Sequence, residues 1–260
     1  MRQNKYDDPA FFTKYSQMAR SIGGLEAASE WPAFRELLPD LREKDVLDLG
    51  CGFGWHCRYA RTKLARSVVG IDLSENMLTR ARESTDDPAI QYHRLAIEDI
   101  DFPEDTFDLV LSSLALHYVE RFDLVCRKVY YCVKTGGTFV FSVEHPVFTA
   151  RAAQDWSYGS HGERLHWPVD QYQEEGPRQA RFLDHDVVKY HRTVATYVNT
   201  LLDCGFRLSK LYEPSPTPTL LETHPEWQEE LRRPMFLVLA AIKSDREQSE
   251  AANISPRAAR

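Results

Sequence analysis

Three glycines at alternate positions, Gly50, Gly52 and Gly54, follow an apolar run that contains an acid, Val46-Leu47-Asp48-Leu49. Glycine accepts positive φ and carries no Cβ, so this spacing suits a tight strand-to-helix turn whose backbone comes close to a ligand. About one βα unit later a second apolar run, Val68-Val69-Gly70-Ile71, ends at Asp72. A carboxylate at that strand end can accept both hydroxyls of a ribose. Turn and acid together are a device for holding a nucleoside-containing cofactor. Dinucleotide folds use G-x-G-x-x-G; here Trp55 stands where that pattern has its third glycine, and Gly54 comes one residue early. The register argues against a pyrophosphate.

Histidine titrates near neutrality and is the natural acid–base candidate. His117 and Tyr118 follow the expected fourth strand, and His145 follows the fifth. Open α/β sheets bind ligands at such carboxyl ends, so His117 and His145 are the candidate catalytic residues. The plainer reading makes His117 a packed, hydrogen-bonded residue and His145, which precedes Pro146, a turn former. No cluster of His, Asp, Glu or Cys has metal-ligand spacing, so no metal is expected. The five cysteines, Cys51, Cys57, Cys126, Cys132 and Cys204, are odd in number and read as buried free thiols.

These residues need elements to position them. Strand signals at 45–49, 67–71, 90–95, 107–112, 137–143, 206–212 and 235–242 alternate with helix signals at 54–65, 75–84, 122–134 and 194–203. Ser74 and Thr193 are expected N-caps, Gly205 a left-handed C-cap residue, and Pro225 the start of a short helix. The pattern predicts an α/β fold: a doubly wound, Rossmann-like sheet of seven mostly parallel strands, with helices on both faces and a cap insertion. Residues 1–35 form an N-terminal helical segment, either packed on the sheet or acting as a lid. Residues 36–143 form the cofactor-binding core, 144–192 the cap, 193–242 the remainder of the core, and 243–260 a polar tail expected to be disordered. The cap is long and rich in aromatics, among them Phe148, Trp156, Trp167 and Phe182, which argues for a substrate pocket. Its charges nearly balance, favouring a neutral, aromatic or heterocyclic small molecule.

The chain has 260 residues, 43% of them hydrophobic, which is enough for one sizeable core. Its net charge of −7 and lack of a basic, aromatic-interleaved run disfavour a nucleic-acid partner. No apolar run spans a bilayer and the N-terminus has no signal-like region, so no membrane partner and a cytoplasmic location are expected. The oligomeric state is open.

Three ordered motifs resemble those of the class I S-adenosylmethionine-dependent methyltransferases, in particular the small-molecule branch related to ubiquinone-biosynthesis methyltransferases. They are Val46 to Gly54, Val69 to Asp72 with Leu73-Ser74-Glu75-Asn76-Met77-Leu78, and Phe107 to Ser113. The resemblance covers about residues 45–143 and, more weakly, extends to 242. It implies S-adenosyl-L-methionine as cofactor and S-adenosyl-L-homocysteine as product. It also implies that Asp48 and the Gly50 backbone face the methionine end, with Cys51 and Gly52 lining the turn. Asp72 would bind the ribose, and Leu73 and Met77 would flank the adenine. After the third strand the family commonly has Asp, a small residue and Glu, whereas this chain has Ala96-Ile97-Glu98. The adenine amino contact then falls to the Ile97 backbone, Glu98 or Asp99. Ser113 and Leu114 would pass close to the sulfonium, and Tyr15 or Met18 would come from the lid. The activity implied is methyl transfer to a small-molecule N or O acceptor. The alternatives are an RNA or protein acceptor, or a non-catalytic cofactor-binding partner subunit.

Overall fold

The computed structural model describes residues 3–244. Helices α1 (Pro9–Ser16), α2 (Ala19–Gly23) and α3 (Trp31–Leu37) precede the first strand. The alternation then runs β1 (Asp45–Leu49), α4 (Trp55–Thr62), β2 (Ser67–Asp72), α5 (Glu75–Glu83) and β3 (Ile90–Arg94). It continues through β4 (Phe107–Ser113), α6 (Phe122–Cys132) and β5 (Val133–Glu144). A short α7 (Pro146–Thr149) leads into two hairpins, β6 (Ser157–Tyr158) with β7 (Arg164–His166), and β8 (Gly176–Phe182) with β9 (His185–His191). The chain returns to the sheet through α8 (Val194–Asp203), β10 (Phe206–Tyr212), α9 (Pro218–Thr223) and β11 (Phe236–Lys243).

The main sheet has seven strands in the order β3-β2-β1-β4-β5-β11-β10. Its first five are parallel, while β11 runs antiparallel to both neighbours. Both faces of the central strands are covered, so β1, β4 and β11 read as largely apolar runs, whereas the edge strands β3 and β10 alternate with polar residues. Alternate residues feed opposite layers: Leu47, Leu49, Phe139 and Phe141 pack on one side, Val46 and Val140 on the other. Strand order reverses between β1 and β4, and such a switch point opens a crevice at the carboxyl ends of the strands.

Local sequence explains the element ends. Ser74 Oγ accepts from the Met77 amide at 3.2 Å and caps α5. Thr193 Oγ1 accepts from the Thr196 amide at 3.1 Å and caps α8, which stops where Gly205 turns to φ 97°. Helix α4 ends at Thr62, earlier than the expected 65, because Leu64 already has φ 64°. The turn starting at Pro225 is a 3-10 segment, Pro225–Arg232, and α9 lies ahead of it under a Thr217 cap that the sequence reading overlooked. Helix α3 packs Trp31 and Phe34 into the core beneath the sheet, so the boundary drawn at residue 35 cuts through a core helix. Lys243 belongs to β11 rather than to a polar tail, and its Nζ donates to Asp105 Oδ1 and to the Val133 carbonyl at 2.8 Å each. The rest of the tail expectation, from residue 245, lies outside the described residues. Among the described residues no helix is long and apolar enough to cross a membrane.

Gly54 opens α4 at φ 72°, and a Cβ there would sit 2.2 Å from the Tyr92 hydroxyl. Gly54→Ala is expected to lower the unfolding free energy by about 1–3 kcal/mol, the usual magnitude for a left-handed non-glycine residue. Urea denaturation followed by circular dichroism measures it, and an unchanged midpoint would contradict the strain.

Candidate active site

The site is built on the turn between β1 and α4. Gly50, Gly52 and Gly54 all have positive φ, at 76°, 53° and 72°. The Gly50 and Cys51 amides both donate to the Ile71 carbonyl at 2.9 Å, tying the turn to the end of β2. Asp72 closes the tie: its Oδ2 accepts from the Gly52 amide and its Oδ1 from the Ser74 amide, each at 2.9 Å. Burial pushes the Asp72 carboxyl up to about 6, against the pull of these backbone donors. A Cβ on Gly50 would lie 2.5 Å from the Ala115 Cβ, so the loop after β4 also requires glycine there.

A cavity of about 440 Å³ opens above the turn, within the range of about 300–1,000 Å³ usual for small-molecule sites. Gly50, Gly52 and Asp72 form one end, with Leu73 and Met77 beside them. Ala96, Ile97 and Glu98 continue that wall, and Ser113, Leu114, His117 and Tyr118 arrive from the end of β4. Tyr15 and Met18 reach in from the N-terminal segment. Most of the residues read from the sequence therefore share one cavity.

Asp99, offered for the adenine edge, does not line it, and neither do Asp48, Cys51 and His145. Asp48 lies buried beneath the turn, where Oδ2 accepts from the Cys57 thiol at 3.2 Å and Oδ1 has no partner. Burial pushes its pKa up to about 7. Cys51 faces a side pocket of about 60 Å³ that shares Gly50, Gly52, Tyr15 and Ser113 with the main cavity. His145 is corrected outright. Its Nδ1 accepts from the Val147 amide at 3.0 Å to cap α7, and its Nε2 pairs with Glu213 Oε1 at 2.8 Å. The turn-forming alternative holds for His145.

His117 is at the cavity but not as an ordinary base. Its Nδ1 accepts from the Glu144 amide at 3.4 Å, and burial pushes its pKa down to about 4. That bond assigns the proton of the neutral ring to Nε2, so the ring offers the cavity a donor.

The sequence reading missed the acidic end. Glu144 lines the cavity, and its Oε1 accepts from Lys189 Nζ at 2.6 Å while Oε2 accepts from Gln154 Nε2 at 3.1 Å. Burial alone would raise the Glu144 pKa, but the His117 ring and the Lys189 ammonium outweigh it and hold it below its usual value. With His117 neutral at pH 7, Lys189 supplies that charge. The signal was present: Phe139 to Val143 is an apolar run ending in an acid, the pattern that singled out Asp72.

The cavity roof has two parts. The N-terminal strap docks on the Asp72 loop, where Asp7 Oδ1 accepts from Ser74 Oγ at 2.6 Å and the Asn76 amide at 3.1 Å. It also docks on the β8–β9 hairpin: Gln3 Oε1 accepts from the Val188 amide at 2.7 Å, and Phe11 is buried against Ala180 and Val187. Tyr6 and Arg20 project from the strap into the cavity, and Arg20 Nη2 pairs with Glu30 Oε1 at 3.0 Å. Of the cap aromatics, Phe182 and Tyr190 line the cavity while Phe148, Trp156 and Trp167 fall elsewhere. Phe148 stacks on Trp167 at 5.1 Å, and the Arg233 guanidinium lies 4.1 Å from the Trp167 ring centre. Of the segment 144–192 only Glu144, Phe182, Val188 and Tyr190 line the cavity.

Residues 47–141 match the family model of a methyltransferase domain. The crystal structure of an S-adenosylmethionine dependent methyltransferase from Mesorhizobium loti is 46% identical with a TM-score of 0.80, covering 84% of this chain and 100% of that one. A Listeria monocytogenes structure assigned to the same class is 54% identical with a TM-score of 0.81, covering 85% of this chain and 100% of that one. This chain belongs to the S-adenosylmethionine-dependent methyltransferases. A Haemophilus influenzae protein of uncharacterised function is 31% identical over 252 residues, 93% of this chain and 97% of its own length. The methyltransferase takes S-adenosylmethionine as its cofactor, and the donor set fits. Asp72 lines the cavity, and its two oxygens, which accept from the Gly52 and Ser74 amides, keep acceptor capacity for hydroxyl donors.

Asp48 sets a pH dependence of stability. Its folded pKa, about 7, exceeds the ordinary value of 3.8. Its contribution is therefore present in full below about pH 4 and is lost as pH rises through 7. Asp48→Asn is expected to flatten this fall, gaining on the wild type between about pH 4 and 7 by up to roughly 1.4 kcal/mol per pH unit, with no further gain above the folded pKa of about 7. Thermal unfolding of both proteins across that range checks it, and parallel curves would contradict the raised pKa.

Proposed function

We propose that this methyltransferase acts on a nitrogen or oxygen of a small molecule enclosed between the glycine turn and the β8–β9 hairpin. One observation carries the reading: the cavity runs from Asp72 to Glu144 beneath a roof pinned at both the Asp72 loop and the hairpin. A space of about 440 Å³ under such a roof suits a small acceptor far better than a polymer. The chain's net charge of −7 also disfavours a polyanionic acceptor.

The bound cofactor supplies a methyl group already activated on a sulfonium. The protein's residues then bind, orient and exclude water. Asp72 accepts the ribose hydroxyls, Leu73 and Met77 flank the adenine, and the Ile97 backbone and Glu98 meet its edge. Arg20 stands beside the turn as the cation for a carboxylate. Ser113, His117, Tyr118 and Glu144 define the reacting end, where His117 Nε2–H donates to a polar atom of the acceptor. The strap acts as a lid, because its anchors must part for either ligand to pass. Holding acceptor and donor in register can lower the barrier by about 7–11 kcal/mol, which leaves little for a general base to add.

Methyl-labelled S-adenosylmethionine incubated with the chain and a whole-cell extract, then fractionated by size, tests the acceptor class. Label is expected in the small-molecule fraction. Label confined to RNA or protein, or none at all, would contradict the reading. With the acceptor so found, kcat is expected to show no inflection near pH 6.5 attributable to His117, which is neutral above about 4. His117→Gln should lower kcat without changing the shape of the pH profile. A limb near 6.5 that this substitution removes would identify His117 as a base.

A further inference from the structure

The acceptor end of the cavity holds a carboxylate, Glu144, among aromatic residues, and the cations Lys189, Arg192 and Arg20 each already have a partner. Lys189 is 2% exposed, with Nζ donating to Glu144 Oε1 at 2.6 Å and to Gln154 Oε1 at 3.1 Å, and lying 5.4 Å from the Phe182 ring centre. Arg192 spends its guanidinium on the Val119 and Glu120 carbonyls and lies 5.8 Å from the Tyr190 ring centre. Arg20 is paired with Glu30. Lys5 is the other cation that lines the cavity, whose acids are Asp72 and Glu98 toward the glycine turn and Glu120 and Glu144 beyond it.

Glu144 uses one acceptor position on each oxygen for Lys189 and Gln154, while a carboxylate offers about four in all. The remaining positions belong to a group that lines the cavity. The same cavity wall carries the rings of Tyr6, Tyr118, Phe182 and Tyr190; Tyr118 feels the Glu144 charge and hydrogen-bonds Tyr6, and Phe182 lies against the Lys189 ammonium. Aromatic faces attract a cation through their quadrupole, more strongly where water is excluded. A carboxylate within such walls selects for an ammonium group and against an anion of the same size. A buried ion pair is seldom retained for stability, since an apolar pair of similar volume serves as well or better. The Glu144–Lys189 pair therefore points to recognition: Lys189 keeps Glu144 ionised and oriented, and the ligand takes what Lys189 leaves.

We propose that the acceptor carries a positively charged amine and is held through it, the ammonium lying between Glu144 and the walls formed by Tyr6, Tyr118, Phe182 and Tyr190. The inference deepens the methyltransferase reading of the same cavity and rests on it. It also revises the neutral aromatic ligand expected from the cap composition, because Phe148, Trp156 and Trp167 lie outside the cavity around Arg233.

The full chain, with and without S-adenosylhomocysteine, is titrated with butylamine and butyltrimethylammonium against butanol and butyrate, followed by ligand-observed saturation-transfer NMR. Both cations are expected to bind at least tenfold more tightly than butanol or butyrate. Glu144→Gln should abolish that preference. The double variant Glu144→Gln with Lys189→Met, which leaves no buried charge unpaired, should abolish it too while unfolding within a few degrees of the wild type. Butyrate binding as tightly as butylamine, or a preference that survives in the folded double variant, would overturn the proposal. S-adenosylhomocysteine affinity is read on the same samples. Its absence in the wild type would count against the cofactor site, separately from the amine result.

Discussion

The bond between the glycine turn and the end of β2 is the constraint on which the site depends. Gly50 and Cys51 both donate to Ile71, and Asp72 holds the Gly52 and Ser74 amides at once. One carboxylate thereby fixes the shape of the turn, caps the approach to α5 and faces the cavity. Its partial neutralisation by two amides permits a buried acid at this place without a cation beside it. The left-handed glycines follow from the same bond. A Cβ at Gly50 would strike Ala115, and the backbone would have to leave Ile71 to avoid it. The strap then docks on the Ser74 and Asn76 side of the same loop through Asp7, so roof and floor share an anchor.

The two ends of the cavity solve the problem of buried charge differently. At the turn, acids are held by backbone amides or, like Asp48, pushed toward neutrality by burial. At the far end, Glu144 stays ionised because Lys189 is buried beside it. His117 sits against Glu144 and is kept neutral by burial, which turns a residue of acid–base reputation into a hydrogen-bond donor. In the function proposed above, alignment and exclusion of water fall to these fixed dipoles and to the two-part roof.

Much of this was readable from residue types. Strands β1, β2, β4 and β10, helix α8, and the Ser74 and Thr193 caps emerge from periodicity and capping chemistry because each depends on neighbours within a few residues. The cofactor end was readable for the same reason: the turn and Asp72 are set by local backbone geometry. The acceptor end was not. Lys189 reaches Glu144 and Gln154 across 45 and 35 residues, and Gln3 and Asp7 reach partners far along the sequence. His145 looked catalytic from its place after β5, yet the Met235 carbonyl fixes its backbone and Glu213 takes its ring. Among the cap aromatics, Phe182 and Tyr190 do line the cavity, but Phe148, Trp156 and Trp167 do not. Composition does not separate the two groups, and Arg233, brought in just ahead of β11, gathers the latter three into a cluster of their own.

A crystal structure of the chain grown with S-adenosylhomocysteine tests the central claim most directly. The expected result is one molecule in the cavity, its ribose hydroxyls on Asp72, its adenine between Leu73 and Met77, and its sulfur directed toward His117 and Glu144. Density for the ligand outside this cavity, or a ribose that makes no contact with Asp72, would contradict the account.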